Sequence, residues 1–199
     1  MAKALAIKVL AVAGVFAALW FGTSPVSWII ASAIVTVALA LILWGVFDVN
    51  SPLWAPTFWR ARGVNAIALT FDDGPDEQFT PRVLEILARE KVPAAFFVVG
   101  ERARSKPELL RAMDAAGHII CNHSDSHAWN INFALHRKLR REIRACSEAI
   151  FDATMRYPAF YRAPFGFKNP ALGDVLANER MLCIGWQVRG FDAVGGTPE

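Results

Sequence analysis

The sequence predicts an α/β fold, with a parallel sheet or barrel covered by helices, that follows two membrane-spanning helices. Two features of the 199 residues support this prediction. Short apolar runs of strand type alternate with amphipathic helical segments from Ala66 onward, and such alternation is typical of parallel sheets. Hydrophobic residues make up 54% of the chain, above the usual share of a soluble domain, and the excess lies before Asn50.

Two long apolar segments open the chain, Ala4–Gly22 and Val26–Phe47. Each is close to the ~20 residues that a helix needs to cross a bilayer core. Lys8 is the single charge in the first segment, and the second segment has none. Pro25 in the "GTSP" connection favours a helix start. We therefore predict a transmembrane hairpin over residues 1–49, a multi-pass anchor in the inner (plasma) membrane; a cleaved signal peptide is the alternative for the first segment.

The positive charges predict the orientation of this hairpin. Lys3 and Lys8 lie on the N-terminal flank, Arg60 and Arg62 lie beyond the second segment, and the connecting loop has no charge. The positive-inside tendency then places both flanks, and the rest of the chain, in the cytoplasm. Lys8 leaves only the short stretch Val9–Gly22 free of charge. If that segment does not span the membrane, the rest of the chain lies on the other side of it.

We predict that residues 50–63 form a membrane-proximal linker and that residues 64–199 form a globular domain. The linker is rich in Pro and Trp. A solvent-exposed linker would not carry Trp54, Phe58 and Trp59 so close together, so we expect it to lie along the membrane surface.

The globular part alternates between strand and helix patterns. The strand-like runs read "AIALTF", "AAFFVVG", "HIIC", "AFYRA" and "MLCIGWQV". The helical segments read "TPRVLEILAREK", with Thr80 as the expected N-cap, "KPELLRAMDAAG", a long helix over 135–153, and "NPALGDVLANE". In a parallel sheet or barrel, functional residues gather at the carboxyl ends of the strands.

Charge and cysteine content exclude some classes of function. The net charge is +3, and residues 64–199 hold equal numbers of basic and acidic side chains, which gives no support to nucleic-acid binding. The three cysteines form no close pair, so they predict buried apolar side chains rather than a disulfide framework or thiolate metal site. Basic residues crowd the long helix, where we expect a solvated face, with contact to anionic lipid headgroups as the alternative.

Three polar clusters follow the predicted strands. Asp72 and Asp73 follow the first, "NHSDSH" at 122–127 follows the third, and "RAPFG" at 162–166 follows the fourth. His123 and His127 are four residues apart, and two histidines with a carboxylate form a plausible site for a divalent metal. One aspartate would bind the metal, and the other would take a proton from a metal-bound water.

These motifs resemble those of the polysaccharide deacetylases, also called NodB-homology or carbohydrate esterase family 4 enzymes. "TFDDGP" at 70–75 is similar to their first motif, "HSDSH" at 123–127 to their second, and "RAPFG" to their third. "GWQVRGFD" at 185–192 is similar to the region of their fourth. The resemblance covers about 64–199 and implies a distorted parallel (β/α) barrel of NodB type.

The resemblance implies a role for each matching residue. Asp73, His123 and His127 would bind one divalent metal, with zinc the first expectation and cobalt, nickel or iron the alternatives. The oxygen and nitrogen ligands of this set suit such a cation.

The resemblance also implies four residues that act beside the metal. Asp72 would be the general base, Arg162 would orient Asp72, and Asp192 would orient Arg162. The backbone N–H of Phe165 would stabilise the oxyanion. Many family members have Trp where this chain has Ala193, which affects the shape of the acetate pocket and the assignment of the fourth motif.

The function implied is removal of N-acetyl groups from a carbohydrate, either a cell-wall polymer or a lipid-linked sugar. The expected partners are an N-acetylated sugar and the lipid bilayer, with no nucleic acid. The sequence indicates no protein partner. Two alternatives are open: a catalytically silent membrane protein that keeps the fold, and an O-acetyl esterase on the same site.

The C-terminal residues predict that the domain is incomplete. "TPE" at 197–199 has the polar-Pro form that opens three earlier helices, and five strands are too few for a parallel barrel of about eight. Family members have a later Leu-x-His motif whose histidine is the general acid, whereas the last histidine here is His136. We expect a deacetylase domain without its C-terminal part, and slow or absent deacetylation by this chain alone.

Overall fold

The computed structural model describes residues 2–22, 24–61, 63 and 65–190. The helices are α1 (Ala2–Phe21), α2 (Pro25–Phe47), α3 (Phe79–Glu90), α4 (Gly100–Ser105), α5 (Pro107–Ala115), α6 (His136–Thr154) and α7 (Leu172–Asn178). The strands are β1 (Thr57–Phe58), β2 (Leu69–Gly74), β3 (Ala94–Val98), β4 (Ile119–Asn122), β5 (Phe160–Tyr161) and β6 (Leu182–Ile184). Two short 3₁₀ helices occupy Trp129–Phe133 and Pro164–Gly166.

The six strands form one sheet in the order β1-β6-β5-β4-β3-β2, and every pair is parallel. Arg162, directly after β5, contacts Asp72 on β2 although two strands lie between them. This contact shows that the sheet curls. The predicted α/β class with a parallel, barrel-like sheet is therefore confirmed. The expected helix start at 197–199 lies outside the described residues.

Strand β1 comes from the segment predicted to be a linker. Thr57 and Phe58 pair with Cys183 and Ile184 of β6, at the edge of the sheet. The sequence analysis missed this strand because two residues give no periodicity. The residues just before it also pack on the domain: Trp54 and Ala55 are 5% and 1% exposed. At least this part of the segment is therefore joined to the globular domain.

Helix α6 joins the two hydrophobic clusters that form the core. Its first half contributes Leu139 and Ile143 to a cluster with α7, β5 and β6. Its second half contributes Cys146 and Ile150 to a cluster with β3, β4 and α5. The three cysteines are free and buried, as predicted, and lie at 121, 146 and 183.

Helices α1 and α2 pack against each other at the N-terminus. Among the described residues, one helix, α2, is long and apolar enough to cross a membrane. Ser24 and Pro25 start α2, with the Ser24 hydroxyl accepting the N–H of Ser27. The predicted segment Ala4–Gly22 forms helix α1 but is not among the candidate spans, so the structure supports one span where the sequence analysis predicted two. Lys8 leaves this first helix only a short stretch free of charge.

Lys168 ties the end of α2 to the globular domain. Its backbone N–H donates to the carbonyl of Val46, the last residue but one of α2, at 3.1 Å. Its buried ammonium donates to the carbonyl oxygens of Val49 (2.9 Å) and Ser51 and to the hydroxyl of Thr57 (3.0 Å). Burial lowers the pKa of Lys168, and these three acceptors replace the water that the ammonium has lost. The connection between α2 and the sheet is therefore fixed.

We predict that Lys168→Met destabilises the chain by about 2–4 kcal/mol, because it leaves two buried carbonyls and a hydroxyl without a donor. In detergent micelles the midpoint of thermal unfolding should fall by about 5–10 °C. The control is Lys138→Met, on the surface of α6, which should change stability by less than about 0.5 kcal/mol. Equal midpoints for the two variants would contradict the role given to Lys168.

Candidate active site

The three polar clusters meet at the carboxyl ends of neighbouring strands, as predicted. Asp72 and Asp73 lie at the end of β2, the "NHSDSH" residues begin at the end of β4, and Arg162 directly follows β5. Hydrogen bonds from the backbone N–H of His123 to the carbonyl of Val98, and from that of Arg162 to the carbonyl of Asn122, continue the sheet into these residues. The site is thus built on the ends of the strands themselves.

A β-bulge explains how two adjacent aspartates serve one site. On a regular strand, neighbouring side chains point to opposite faces. Here Asp72 is opposite Phe97 and Gly74 is opposite Val98, so Asp73 is the extra residue. Asp73 has a φ of 67°, which turns the chain locally. Asp72 consequently reaches one set of partners and Asp73 another at the same end of the sheet.

Asp73, His123 and His127 form a cluster that could hold a metal ion, with one ligand atom of each within 4.8 Å of the others. The Asp73 carboxylate is 3.0 Å from Nε2 of His127 and 3.4 Å from Nε2 of His123. Hydrogen bonds from His123 and then His127 hold the pKa of Asp73 well below its usual range. A carboxylate that stays ionised beside two imidazoles is suited to bind a cation.

The surroundings of His123 fix which of its ring nitrogens faces the cluster, and two further contacts hold His127 in place. Nδ1 of the buried His123 lies 2.8 Å from the carbonyl oxygen of Arg162. A carbonyl only accepts, so Nδ1 carries the hydrogen and Nε2 is the nitrogen available to a metal. The backbone N–H of His127 donates to the hydroxyl of Ser124, and the His127 ring packs on the ring of Phe165 at 4.7 Å between centroids.

Arg162 joins β2 to the residues that follow β6. Its Nη1 donates to the Asp72 carboxylate at 2.6 Å and to the Thr70 hydroxyl at 3.0 Å. Its Nη2 donates to the carbonyl of Gly185 at 3.0 Å. The side chain of Arg162 is only 3% exposed, so these bonds are shielded from water. The predicted pairing of Arg162 with Asp72 is present in the structure.

The ring of Phe97 supports this guanidinium from one face. The Cζ atom of Arg162 lies 3.9 Å from the centre of the Phe97 ring, within the range of a cation–π contact. Phe97 is almost fully buried on β3. The plane of the guanidinium is therefore fixed by packing as well as by hydrogen bonds.

Unusual backbone conformations concentrate at the site. Non-glycine residues with positive φ are uncommon and cost of order 1–3 kcal/mol each. Of the seven such residues in the described part of the chain, four lie in the three motifs: Asp73, Ser124, His127 and Phe165. The strain therefore lies where the site needs particular side-chain directions.

The sequence analysis missed several residues that support the site. Asn122 is fully buried; it accepts from the N–H of Ser124 and donates to the carbonyl of Ile143, which fixes the start of the histidine segment. The Glu142 carboxylate accepts from the N–H and the hydroxyl of Ser126, which fixes the middle of the histidine segment. Asn122 stood inside the "NHSDSH" string and was not singled out. Glu142 gave no signal, because it lies on a helix rich in charges.

Two expectations near the motifs have different outcomes. The N-cap of α3 is Gln78, not Thr80, and the Gln78 side chain makes no capping hydrogen bond. The Asp76 carboxylate, two residues earlier, accepts from the N–H groups of Phe79 and Gln78, which lowers the pKa of Asp76. Helix α3 begins at Phe79, two residues earlier than expected, and the Thr80 hydroxyl accepts from the N–H of Asp76. Asp192 lies outside the described residues, so its expected contact with Arg162 stays a prediction.

The family model for polysaccharide deacetylases matches residues 60–181, more than half of the chain. The chain belongs to the polysaccharide deacetylase family. The matched residues include the Asp72–Asp73 pair, both histidines of the cluster and Arg162.

Relatives and solved structures of this family match about two thirds of the chain. It is 37% identical over 130 residues to a chitooligosaccharide deacetylase of Sinorhizobium fredii, covering 63% of this chain and 59% of the relative. It is 34% identical to a peptidoglycan-N-acetylglucosamine deacetylase of Bacillus cereus, covering 71% and 54%. A family 4 carbohydrate esterase from Streptomyces lividans, solved in complex with acetate, matches with a TM-score of 0.63 at 30% identity, covering 66% and 67%. The chain thus spans less than two thirds of these curated relatives.

We predict that His127→Ala lowers the zinc affinity of the chain by more than about 100-fold, because two protein ligands hold zinc poorly. The measurement is calorimetric titration of zinc into the purified full chain. The matched control is His136→Ala on α6, whose ring is paired with Asp174 at 3.4 Å rather than with the cluster. Equal zinc binding by the two variants would remove the cluster from consideration as a metal site.

Proposed function

We propose that the protein is a metal-dependent hydrolase that removes N-acetyl groups from a carbohydrate at the membrane. The observation that carries this proposal is the division of the two neighbouring aspartates. Asp73 lies among two imidazoles, and Asp72 lies against a buried guanidinium. Two carboxylates in different surroundings are suited to different tasks in one reaction. Membership of the polysaccharide deacetylase family supports the same assignment.

Asp73, His123 and His127 would hold one divalent ion, with zinc first and cobalt, nickel or iron as alternatives. The donor set fits such an ion, since it offers one ionised carboxylate and two Nε2 atoms on a common centre. When bound, the ion would polarise the amide carbonyl and ease ionisation of the attacking water.

Asp72 would act as the general base that takes the proton of the attacking water. Its carboxylate is 31% exposed, so it is open to a water on one side while Arg162 holds it on the other. Arg162 would thus be a positioning residue, and Asp192 would orient Arg162 in turn. The backbone N–H of Phe165 would donate to the oxygen that gains negative charge.

The substrate would be an N-acetylated sugar, in a cell-wall polymer or linked to a lipid. Two similar proteins are named for chitooligosaccharide and for peptidoglycan N-acetylglucosamine, which share an N-acetylated glucosamine unit. This common unit makes oligomers of N-acetylglucosamine the first substrate to test.

We predict that Asp72→Asn lowers the rate of acetate release from N-acetylglucosamine oligomers by about 10²–10⁴-fold, because the base is lost. Zinc binding should stay at the level of the unaltered chain, since Asp72 is not among the three ligands. Asp73→Asn is the matched variant: it should lose both activity and zinc.

The same assay separates the alternatives. Equal acetate release by the unaltered chain and Asp72→Asn would refute the assignment of the base. Release from O-acetylated sugars alone would identify an esterase. Release from neither class of substrate, with zinc bound, would contradict the proposed activity for these 199 residues.

We propose that α2 anchors the protein in the plasma membrane, with α1 as a second span and the globular domain in the cytoplasm. The length and apolar character of α2 support the anchor. Trp44, near the end of α2, donates its indole N–H to the Asp48 carboxylate at 2.8 Å, an arrangement suited to the interface between lipid and water. The positive flanks support the cytoplasmic side.

We predict that carbonate extraction leaves the protein in the membrane pellet. A phosphatase reporter, which is active only outside the cytoplasm, should be silent when fused after Gly190. The control is the same reporter fused after Ser24, in the connection between α1 and α2, which the two-span arrangement places outside the cytoplasm and where the reporter should be active. An active reporter on the unaltered chain would place the domain outside the cytoplasm.

A further inference from the structure

Large apolar side chains are exposed on the segment between the histidine motif and α6. Trp129, Phe133 and Leu135 are 73%, 77% and 79% exposed. Ile131 and Ala134 lie between them in sequence and are buried, so the segment is held on the domain while its larger side chains point outward. Exposed apolar residues grouped in this way indicate an interaction surface rather than scattered surface positions.

Basic side chains adjoin this apolar group on the first turns of α6. Arg137, Lys138 and Arg141 are exposed, and no ion pair in the described part of the chain involves any of them. Arg144, one turn further on, is instead paired with Glu179 at 2.9 Å. We call the group Trp129, Phe133, Leu135, Arg137, Lys138 and Arg141 the lipid-facing surface. Lys138 does donate to the Asn130 side chain at 3.4 Å, which leaves its charge unneutralised. Aromatic and aliphatic side chains beside cations without an acidic partner suit an anionic bilayer.

Packing connects this surface to the end of the membrane helix. The ring of Phe47, the last residue of α2, packs edge-on against Phe167 at 5.1 Å between centroids. Phe167 in turn lies 6.3 Å from Phe165 in the 3₁₀ helix Pro164–Gly166, and this helix packs on the 3₁₀ helix Trp129–Phe133. The chain of contacts runs from the membrane end of α2, past the candidate active site, to the lipid-facing surface.

We propose that the lipid-facing surface docks on the headgroup region of an anionic bilayer beside α2. The apolar side chains enter the interface, and the basic side chains contact the lipid phosphates. The candidate site then opens close to the headgroups, because Phe165 packs on His127 and belongs to the same chain of contacts. Docking does not depend on the reaction, so it can fail or hold independently of the proposed deacetylation.

The test places an environment-sensitive fluorophore on this surface in the full chain. Phe133→Cys is labelled with NBD maleimide, and the protein is inserted into nanodiscs of neutral phosphatidylcholine, with or without anionic phosphatidylglycerol. The control label is at Met155→Cys, which is exposed at the opposite end of α6. The native thiols do not compete, since all three are buried and burial raises the pKa of Cys121 and Cys146 to about 12.

We expect the label at 133 to emit at shorter wavelength than the label at 155 in anionic nanodiscs, and to be quenched by spin-labelled lipid. Reversing two charges, Arg137→Glu with Arg141→Glu, should reduce the equilibrium constant for docking in anionic nanodiscs, by roughly fivefold or more per charge, and leave it unchanged in neutral ones. Water-like emission at both positions would overturn the proposal. So would equal docking of the charge-reversed and unaltered chains in anionic nanodiscs.

Discussion

The buried guanidinium of Arg162 is the interaction on which the rest of the site depends. A cation so far from water is tolerated only when partners satisfy it on every side. Arg162 has such partners in the Asp72 carboxylate, the Thr70 hydroxyl, the carbonyl of Gly185 and the face of Phe97. These groups come from β2, β3 and the residues after β6, so the sheet must curl for them to meet. The contacts of Arg162 therefore account both for the curvature of the sheet and for the position of Asp72, the expected base.

Backbone strain at the site follows from the same demand. Asp73 has to leave the regular strand so that its carboxylate reaches the imidazoles while Asp72 reaches the guanidinium. The bulge and the positive φ of Asp73 accomplish this, at a local cost that the rigid sheet can bear. Phe165 has the same type of conformation beside His127. Local preferences are thus overridden where the chemistry requires a direction that a regular strand cannot give.

The sequence predicted most of the fold, because its signals were local and strong. Apolar runs and Pro-led helix starts located β2 to β6 and helices such as α5, and the motif spacing located Asp72, Asp73, His123, His127 and Arg162. It failed where a feature depends on distant partners. Strand β1 exists only because β6 offers it an edge, and the roles of Asn122 and Glu142 depend on where α6 lies. The start of α3 was misjudged for a smaller reason, since Thr is a common N-cap residue whereas the observed cap, Gln78, is not of a preferred type.

The connection between α2 and the domain determines what the site can reach. A flexible linker would let the domain sample many orientations above a membrane. Here Lys168 holds the carbonyls of Val49 and Ser51, and its own N–H holds the end of α2. Lys168 lies only two residues beyond the 3₁₀ helix that carries Phe165. A connection fixed this close to the site leaves the domain little freedom to turn relative to the end of α2. With α2 in a membrane, as proposed, the fold would set the distance between bilayer and site, and substrates held at that distance would be favoured.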